Sequence, residues 1–376
     1  MQKITGALHS IIKATLTDIP EKSSILFVAT QFGSFNLVYP ILQVCLGKYA
    51  VGYIGIKDID TKDLIYKKVV KGDEDIEYGI VNDFDLILTG TSPSSDVEYN
   101  MWRFARDSGK DSICILDMTK HCQERFYKNG ELFLPDMIFV VDEEGKEAVS
   151  CIGVAPDNII VTGSPYLDAV CQFRLTNEEK EQVRGELKLG RKRLLTFCTE
   201  YIAASGEKEL YGYDEFDILR GLSKYIRKRG FDNIRLRIRL HPKDESNMYE
   251  EFFKTMDDGI DFEIAAGEIG NRFFQASDAV IGMTSTILTE AHMLGLHVVS
   301  FQPAGKGINK HVHNSIIEKT LVTTIAGLYE RLDAILDGPH VNVSSLPTDS
   351  RNDSLNKIME VVDSRLRAIS FKKRAA

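Results

Sequence analysis

Arg235-Leu-Arg-Ile-Arg-Leu-His241-Pro242 and, further along, Ala279-Val-Ile-Gly282-Met-Thr284-Ser285-Thr286-Ile-Leu-Thr-Glu290-Ala291 decide how this chain is read. In the second stretch a short apolar run reads as a buried strand, and Gly282 breaks it. Thr284, Ser285 and Thr286 then bring hydroxyls and unpaired backbone N–H groups to the place where a helix begins. Such a helix start carries partial positive charge and suits an anion, phosphate above all. Glu290 falls one turn after Thr286 on the same face, placed to accept hydrogen bonds from hydroxyls just beyond a phosphate, such as those of a ribose. In the first stretch Pro242 ends the ladder and holds His241 extended, so the imidazole sits at a strand end where it can donate to, or protonate, a phosphate oxygen. A buried structural histidine is the plainer alternative.

Outward from these stretches the chain repeats strand, loop, helix. Apolar runs of strand length are read at 25–30, 51–56, 84–90, 112–117, 137–142 and 158–163, and a second series at 194–199, 235–240, 279–283, 298–301 and 321–324. This alternation implies an α/β protein with two doubly wound, Rossmann-like domains, each a parallel sheet covered by helices on both faces. The charged segment 175–190, closed by Gly190, reads as a surface helix joining them. The expected division is 1–172 as the N-terminal domain, 173–192 as linker, 193–350 as the C-terminal domain, and 351–376 as a helix with a basic tail.

The length of 376 residues suits two domains, and 43% apolar with 27% charged residues is the balance of a soluble globular chain. A net charge of −9 argues against nucleic-acid binding, which needs a basic stripe. The six cysteines are scattered without a CxxC pair, favouring neither a zinc site nor a disulfide framework, and read as reduced core residues. Met1–Pro20 lacks a long apolar core and no stretch approaches a membrane span, so the protein is expected in the cytoplasm. Arg365, Arg367, Lys372, Lys373 and Arg374 follow Asp363 with no acid among them: a frayed basic helix end, or a weak contact with an anionic membrane face.

Doubly wound sheets bind ligands at the C-terminal ends of their strands, so functional residues are sought just after strands. If the two rows of strand ends face each other, the cleft between them is the site. After the first strand come Gly33, Ser34 and Asn36, and no GxGxxG fingerprint is present there or elsewhere, which counts against NAD or FAD. After the third come Thr89, Gly90 and Thr91, which either touch a sugar or phosphate or cap the helix near Asp96. After the fourth, Asp117, Lys120 and His121 offer a carboxylate, an amine and an imidazole for acid–base work. After the fifth, Asp142, Glu143 and Glu144 precede Gly145, as a base towards an acceptor hydroxyl or as an acidic first turn. In the second domain Thr199-Glu200 follows the first strand, His241-Pro242-Lys243 the second, Gly282 to Glu290 the third, and Gln302 the fourth.

Together these residues resemble GT-B glycosyltransferases over nearly the whole length. Segment 278–303 is similar to the donor-nucleotide segment of those enzymes, where the helix start holds phosphate and a Glu matching Glu290 holds ribose. His241-Pro242 with Ser285 and Thr286 resembles the HP and Ser/Thr motifs of bacterial sialyltransferases, which use cytidine-activated donors. Asp142–Gly145 matches the place of their acidic base motif, and 89–91 and 161–168 look like stretches of bacterial surface-polysaccharide proteins. Thr-Ser stands where many UDP-sugar enzymes carry Gly-Gly. The resemblance implies a metal-independent transferase with no cofactor. It would move a sugar from a CMP-, CDP- or UDP-linked donor to a hydroxyl of a glycan, glycolipid or small acceptor, with Asp142, Glu143, Glu144 or Asp117 as base and His241 at the leaving phosphate. Two alternatives share the scaffold: a nucleotide-sugar 2-epimerase or hydrolase, which turns over its substrate without an acceptor, and a member that binds nucleotide or glycan without catalysis.

Overall fold

The computed structural model describes residues 23–71, 76–119, 121–256, 259–265, 271–303, 319–338 and 353–375. These fall into two compact units: 23–169 together with 353–375, and 170–338. In the first, strands β1 (Ser24–Ala29), β2 (Ala50–Gly55), β3 (Leu64–Val69), β4 (Leu86–Thr89) and β5 (Asp111–Leu116) are followed by the short hairpin β6 (Tyr127–Lys128) and β7 (Glu131–Leu132). Strands β8 (Met137–Val140) and β9 (Ile159–Val161) complete a seven-stranded parallel sheet in the order β3-β2-β1-β4-β5-β8-β9. From β1 the chain winds outward to β3, then returns to place β4 against the other side of β1, with Ile25 opposite Leu86 and Val28 opposite Thr89. The switch point therefore lies between the ends of β1 and β4.

Side-chain alternation along β1 splits its core between two faces. Ile25, Phe27 and Ala29 pack with the helix Phe32–Cys45, whereas Leu26 and Val28 pack with Val97, Met101 and Ala105 of the helix Val97–Asp107. The C-terminal helix Ser354–Ala375 returns to the first face and buries Leu355, Ile358, Met359, Val362 and Leu366 there. Each such side chain contributes about 1.5–3 kcal/mol on full burial, so this helix is part of the N-terminal unit rather than a free tail. Two of its cations are engaged with that unit: Arg365 approaches Asp111 at 3.4 Å and Lys373 reaches Asp85 at 2.5 Å.

The second unit holds β10 (Arg193–Cys198), β11 (Ile234–Arg239), β12 (Phe262–Ala265), β13 (Ala279–Gly282), β14 (Val298–Phe301) and β15 (Leu321–Val322). They form a parallel sheet in the order β12-β11-β10-β13-β14-β15, so its switch point lies between β10 and β13. Leu195, Phe197, Ile281 and Val299 pack there with Leu222 and Tyr225 of the helix Glu215–Arg229. The charged helix expected as a linker, Asn177–Glu186, packs on this unit: Val183 lies among Leu189, Leu194 and Ala276, and Arg184 pairs with Asp278 at 3.2 Å. Strands β3 and β12 escape the apolar-run reading because both are sheet edges, with alternating or partly exposed residues instead of a continuous buried run. Cys45, Cys114 and Cys198 lie in the cores as expected, but Cys151 is exposed. Among the described residues no helix is long and apolar enough to cross a membrane.

Candidate functional site

At the N-terminal switch point the end of β5 delivers Asp117 against the start of the helix Phe32–Cys45 that follows β1. Gly33 is required there, because a Cβ at that position would stand 2.3 Å from Asp117 Oδ2. Gly90 likewise leaves room for Ser34, whose Cβ would lie 2.2 Å from an added methyl, and the Ser34 hydroxyl donates to the Thr91 carbonyl at 2.6 Å. Arg125, 2% exposed on the short helix Cys122–Phe126, closes the cluster. Its guanidinium donates to Asp117 Oδ1 at 2.7 Å, to the Thr91 hydroxyl at 2.7 Å and to the Thr91 carbonyl at 3.2 Å. Burial pushes the Asp117 carboxyl above the usual carboxylate range even though Arg125 and Thr91 pull it down. A carboxyl shifted in that direction holds a proton more readily than an exposed one. The Thr89 hydroxyl accepts from Trp102 Nε1 at 2.8 Å and serves the core, whereas Glu98, buried on the next helix, accepts from the backbone and hydroxyl of Thr30 at 2.9 and 2.7 Å.

The C-terminal switch point is arranged differently. The residue after Thr199 is Glu200, and its carboxylate crosses from the end of β10 to the loop after β13. Oε1 accepts the backbone N–H groups of Met283, Thr284 and Ser285 at 2.9, 2.5 and 2.7 Å, and Oε2 accepts the Thr284 hydroxyl at 2.5 Å. The cradle expected to hold a phosphate is thus filled by the chain's own carboxylate. Burial raises the Glu200 carboxyl pKa and the four hydrogen bonds only partly oppose it. Tyr201, next in the chain, lies in the left-handed region at φ 68°, unusual for a bulky residue. Glu215 holds it there. Fully buried at the start of its helix, Glu215 accepts from the backbone N–H groups of Glu200, Ile202 and Ala203 at 3.2, 2.6 and 2.9 Å. The helix begins at this point because Asp214 and Asp217 form a reciprocal capping box.

His241 follows β11 beside this loop. Its backbone N–H donates to the Thr199 hydroxyl at 2.7 Å, that hydroxyl donates to Asp244, and the imidazole stacks on Tyr201 with centroids 5.8 Å apart. The Lys243 backbone N–H donates to His241 Nδ1 at 3.2 Å. An accepting Nδ1 means a neutral ring with its proton on Nε2. Burial works in the same direction, lowering the His241 pKa.

Other expected residues have different employment. Asp142 is the N-cap of the helix Glu143–Cys151, its Oδ1 accepting from Gly145 N at 2.8 Å, so the first-turn reading describes it better than that of a base. Glu143 lies 3.8 Å from Lys146, and Glu144 accepts from Thr119 at 3.5 Å. His121 is about half exposed and lies 3.4 Å from Glu124, while Lys120 lies outside the described residues. The Gln302 amide donates to the Met283 carbonyl and to Ser300, both at 3.1 Å, which shapes the cradle loop from behind rather than offering a ligand contact. Gly282 closes β13 against Leu288, whose Cδ2 would be 3.0 Å from a Cβ. Thr286 is exposed at the helix start, and Pro242 and Lys243 are exposed beyond β11. Glu290 is partly buried on the same side as Glu200: with burial, both carboxylates help raise the Cys198 thiol to about 12. Asn36 is partly buried in the first turn after Gly33. A cavity of about 260 Å³ lies at the opposite, N-terminal ends of β10 and β13, lined by Lys180, Arg184, Arg193, Asp278 and His297 among others. Both arginines there pair with Asp278, and none of the strand-end residues reaches it.

Arg125, Glu98 and Glu215 were not among the expected site residues, and Glu200 entered only as the neighbour of Thr199 at the strand end, with no role assigned. Glu200 was findable, being the first acid after a strand. The others lie on helices, Glu98 and Glu215 in a first turn and Arg125 on the five-residue Cys122–Phe126, where the strand-end filter does not reach.

No protein-family model and no curated protein sequence matches the chain. Solved structures do. The chain is similar to UDP-GlcNAc 2-epimerase from Methanocaldococcus jannaschii, with 13% identity and a TM-score of 0.62 over 90% of this chain and 99% of that one. MnaA of S. aureus, solved with UDP, gives 12% identity and a TM-score of 0.66 over 92% and 97%. HepE of Anabaena, solved with UDP and glucose, gives 11% and 0.55 over 94% and 98%. These likenesses carry the fold: two Rossmann-like domains of GT-B-like type. They do not carry the resemblance to sialyltransferases.

Proposed function

We propose that this protein acts on a uridine-diphosphate-linked sugar and inverts the sugar at C2 rather than passing it to an acceptor. The supporting observation is the Asp117–Arg125–Thr91 cluster, on a fold that spans nearly all of several UDP-GlcNAc 2-epimerase structures. Inversion at C2 breaks the C2–H bond: a base takes the proton, and the C–H electron pair forms a C1=C2 double bond as the C1–O bond to UDP breaks. UDP then adds back at C1 while a proton is delivered to the opposite face of C2. Asp117 is a carboxyl poised for that exchange, and Arg125 keeps it in place between turnovers. Within the C-terminal unit His241, with its proton on Nε2, offers a donor to a phosphate oxygen, and the Thr284 hydroxyl offers a second only when released from Glu200. Glu290 is the acceptor for ribose hydroxyls. Glycosyl transfer to a glycan or glycolipid hydroxyl is the second reading. It needs a carboxylate for the acceptor's proton, and Asp142, one of the four expected for it with Glu143, Glu144 and Asp117, is engaged as a helix cap.

The test is incubation with UDP-GlcNAc, UDP-glucose and a CMP-linked sugar without acceptor, followed by separation of products. Appearance of a second UDP-sugar isomer, lowered about 10²- to 10⁴-fold in Asp117→Asn, supports the reading. Release of sugar only when an acceptor is added would favour transfer. Absence of both binding and turnover would remove the nucleotide-sugar reading.

A further inference from the structure

The proposed function leaves one group unexplained: the carboxylate inside the cradle after β13. Three successive backbone N–H groups and the Thr284 hydroxyl converge on Glu200. Convergent amides of this kind bind anions, and here the anion is covalently tethered. The tether is itself braced. Glu215 accepts from the backbone on both sides of Tyr201, keeping that residue at φ 68° and turning Glu200 towards the cradle. A loop needing only a cap would not need a non-glycine residue in the left-handed region and a second buried carboxylate to maintain it.

We propose that Glu200 is a selectivity gate of the C-terminal unit: an internal anion that a nucleotide's phosphate must displace before it can use the amides of Met283, Thr284 and Ser285. This rests on the nucleotide-sugar reading and names how that site chooses its ligand. Displacing the carboxylate forfeits four hydrogen bonds, and a phosphate that entered beside it would meet a like charge. Only a ligand that brings several phosphate oxygens and additional contacts overcomes both. The gate therefore favours a nucleoside diphosphate over a monophosphate or inorganic phosphate, and is indifferent to a nucleoside without phosphate.

The experiment is calorimetric titration of the full-length protein with UDP, UMP and uridine, for wild type, Glu200→Gln and Glu200→Ala, with melting curves to confirm that each variant folds. The gate predicts that UDP binds both variants at least about tenfold more tightly than wild type, and that UMP gains more than UDP. Uridine affinity stays the same. It also predicts that acetate, filling the cradle in Glu200→Ala, competes with UDP there but not in wild type. UDP binding that is equal or weaker in both folded variants overturns the gate while leaving the nucleotide reading intact. UDP binding to none of the three proteins overturns both.

Discussion

The two switch points solve the same problem, a carboxylate beyond the end of a central strand, with different partners. Asp117 is held by a guanidinium and a hydroxyl from side chains. Glu200 is held by backbone amides and one hydroxyl. Side-chain partners can be removed one at a time, and an acid so paired can release and regain a proton without its surroundings moving. Backbone partners persist whatever the sequence, so the acid they hold can be replaced only by another anion. The first arrangement suits chemistry, and the second suits binding.

The largest break in this comparison comes from Arg125→Met. It leaves Asp117 buried beside Thr91 without its cation, and unfolding in denaturant should show a loss of about 3–5 kcal/mol. A loss below about 1 kcal/mol would mean that the pair is solvated and ordinary. Glu215→Ala comes next. Three backbone N–H groups lose their acceptor and Tyr201 is freed from its left-handed conformation, which should cost about 3 kcal/mol and abolish the Tyr201–His241 stack, read from ring-current shifts of His241.

A pH scan separates the two sites more finely. Both carboxyls have pKa values raised in the folded state, from ordinary values of 3.8 for Asp117 and 4.5 for Glu200. The folded protein therefore binds these protons more tightly than the unfolded chain. Their contribution to stability is full below the ordinary values and is lost as pH rises through the folded ones, with a slope of at most about 1.4 kcal/mol per pH unit for each. Asp117→Asn and Glu200→Gln should each flatten the decline above pH 4.5, and additively if the sites are independent. A slope left unchanged in both variants would remove the assignment. His241 gives the smallest effect: its pKa, lowered from 6.5 by burial, should leave the ring neutral at pH 7. Nitrogen-15 shifts should show the proton on Nε2, and a charged ring or the Nδ1–H tautomer would contradict the hydrogen bond from Lys243.

Strand ends were legible because fully buried parallel strands are short apolar runs, and whatever follows them is at the functional edge. That filter picks out Asp117, Thr91, Thr199, His241 and Thr284–Ser285 without knowledge of any contact. It cannot say which partner each residue takes. Arg125 comes from a five-residue helix and Glu215 from the first turn of a helix fifteen positions beyond Glu200, and neither pairing has a local pattern. The same limit misread the loop after β13. Its hydroxyls and amides do form an anion cradle, but the carboxylate inside it arrives from another strand. Asp142 shows the converse: a residue whose motif suggested chemistry has a local role that its helix position already favoured.

The most direct test of the account is proton NMR of UDP-GlcNAc with the protein in deuterated water, without acceptor. C2 inversion predicts loss of the H2 signal as deuterium enters that carbon, with a second set of anomeric resonances growing in, and neither change in Asp117→Asn. A substrate that binds yet keeps its H2 signal, or that loses its sugar intact to an added hydroxyl, would contradict it.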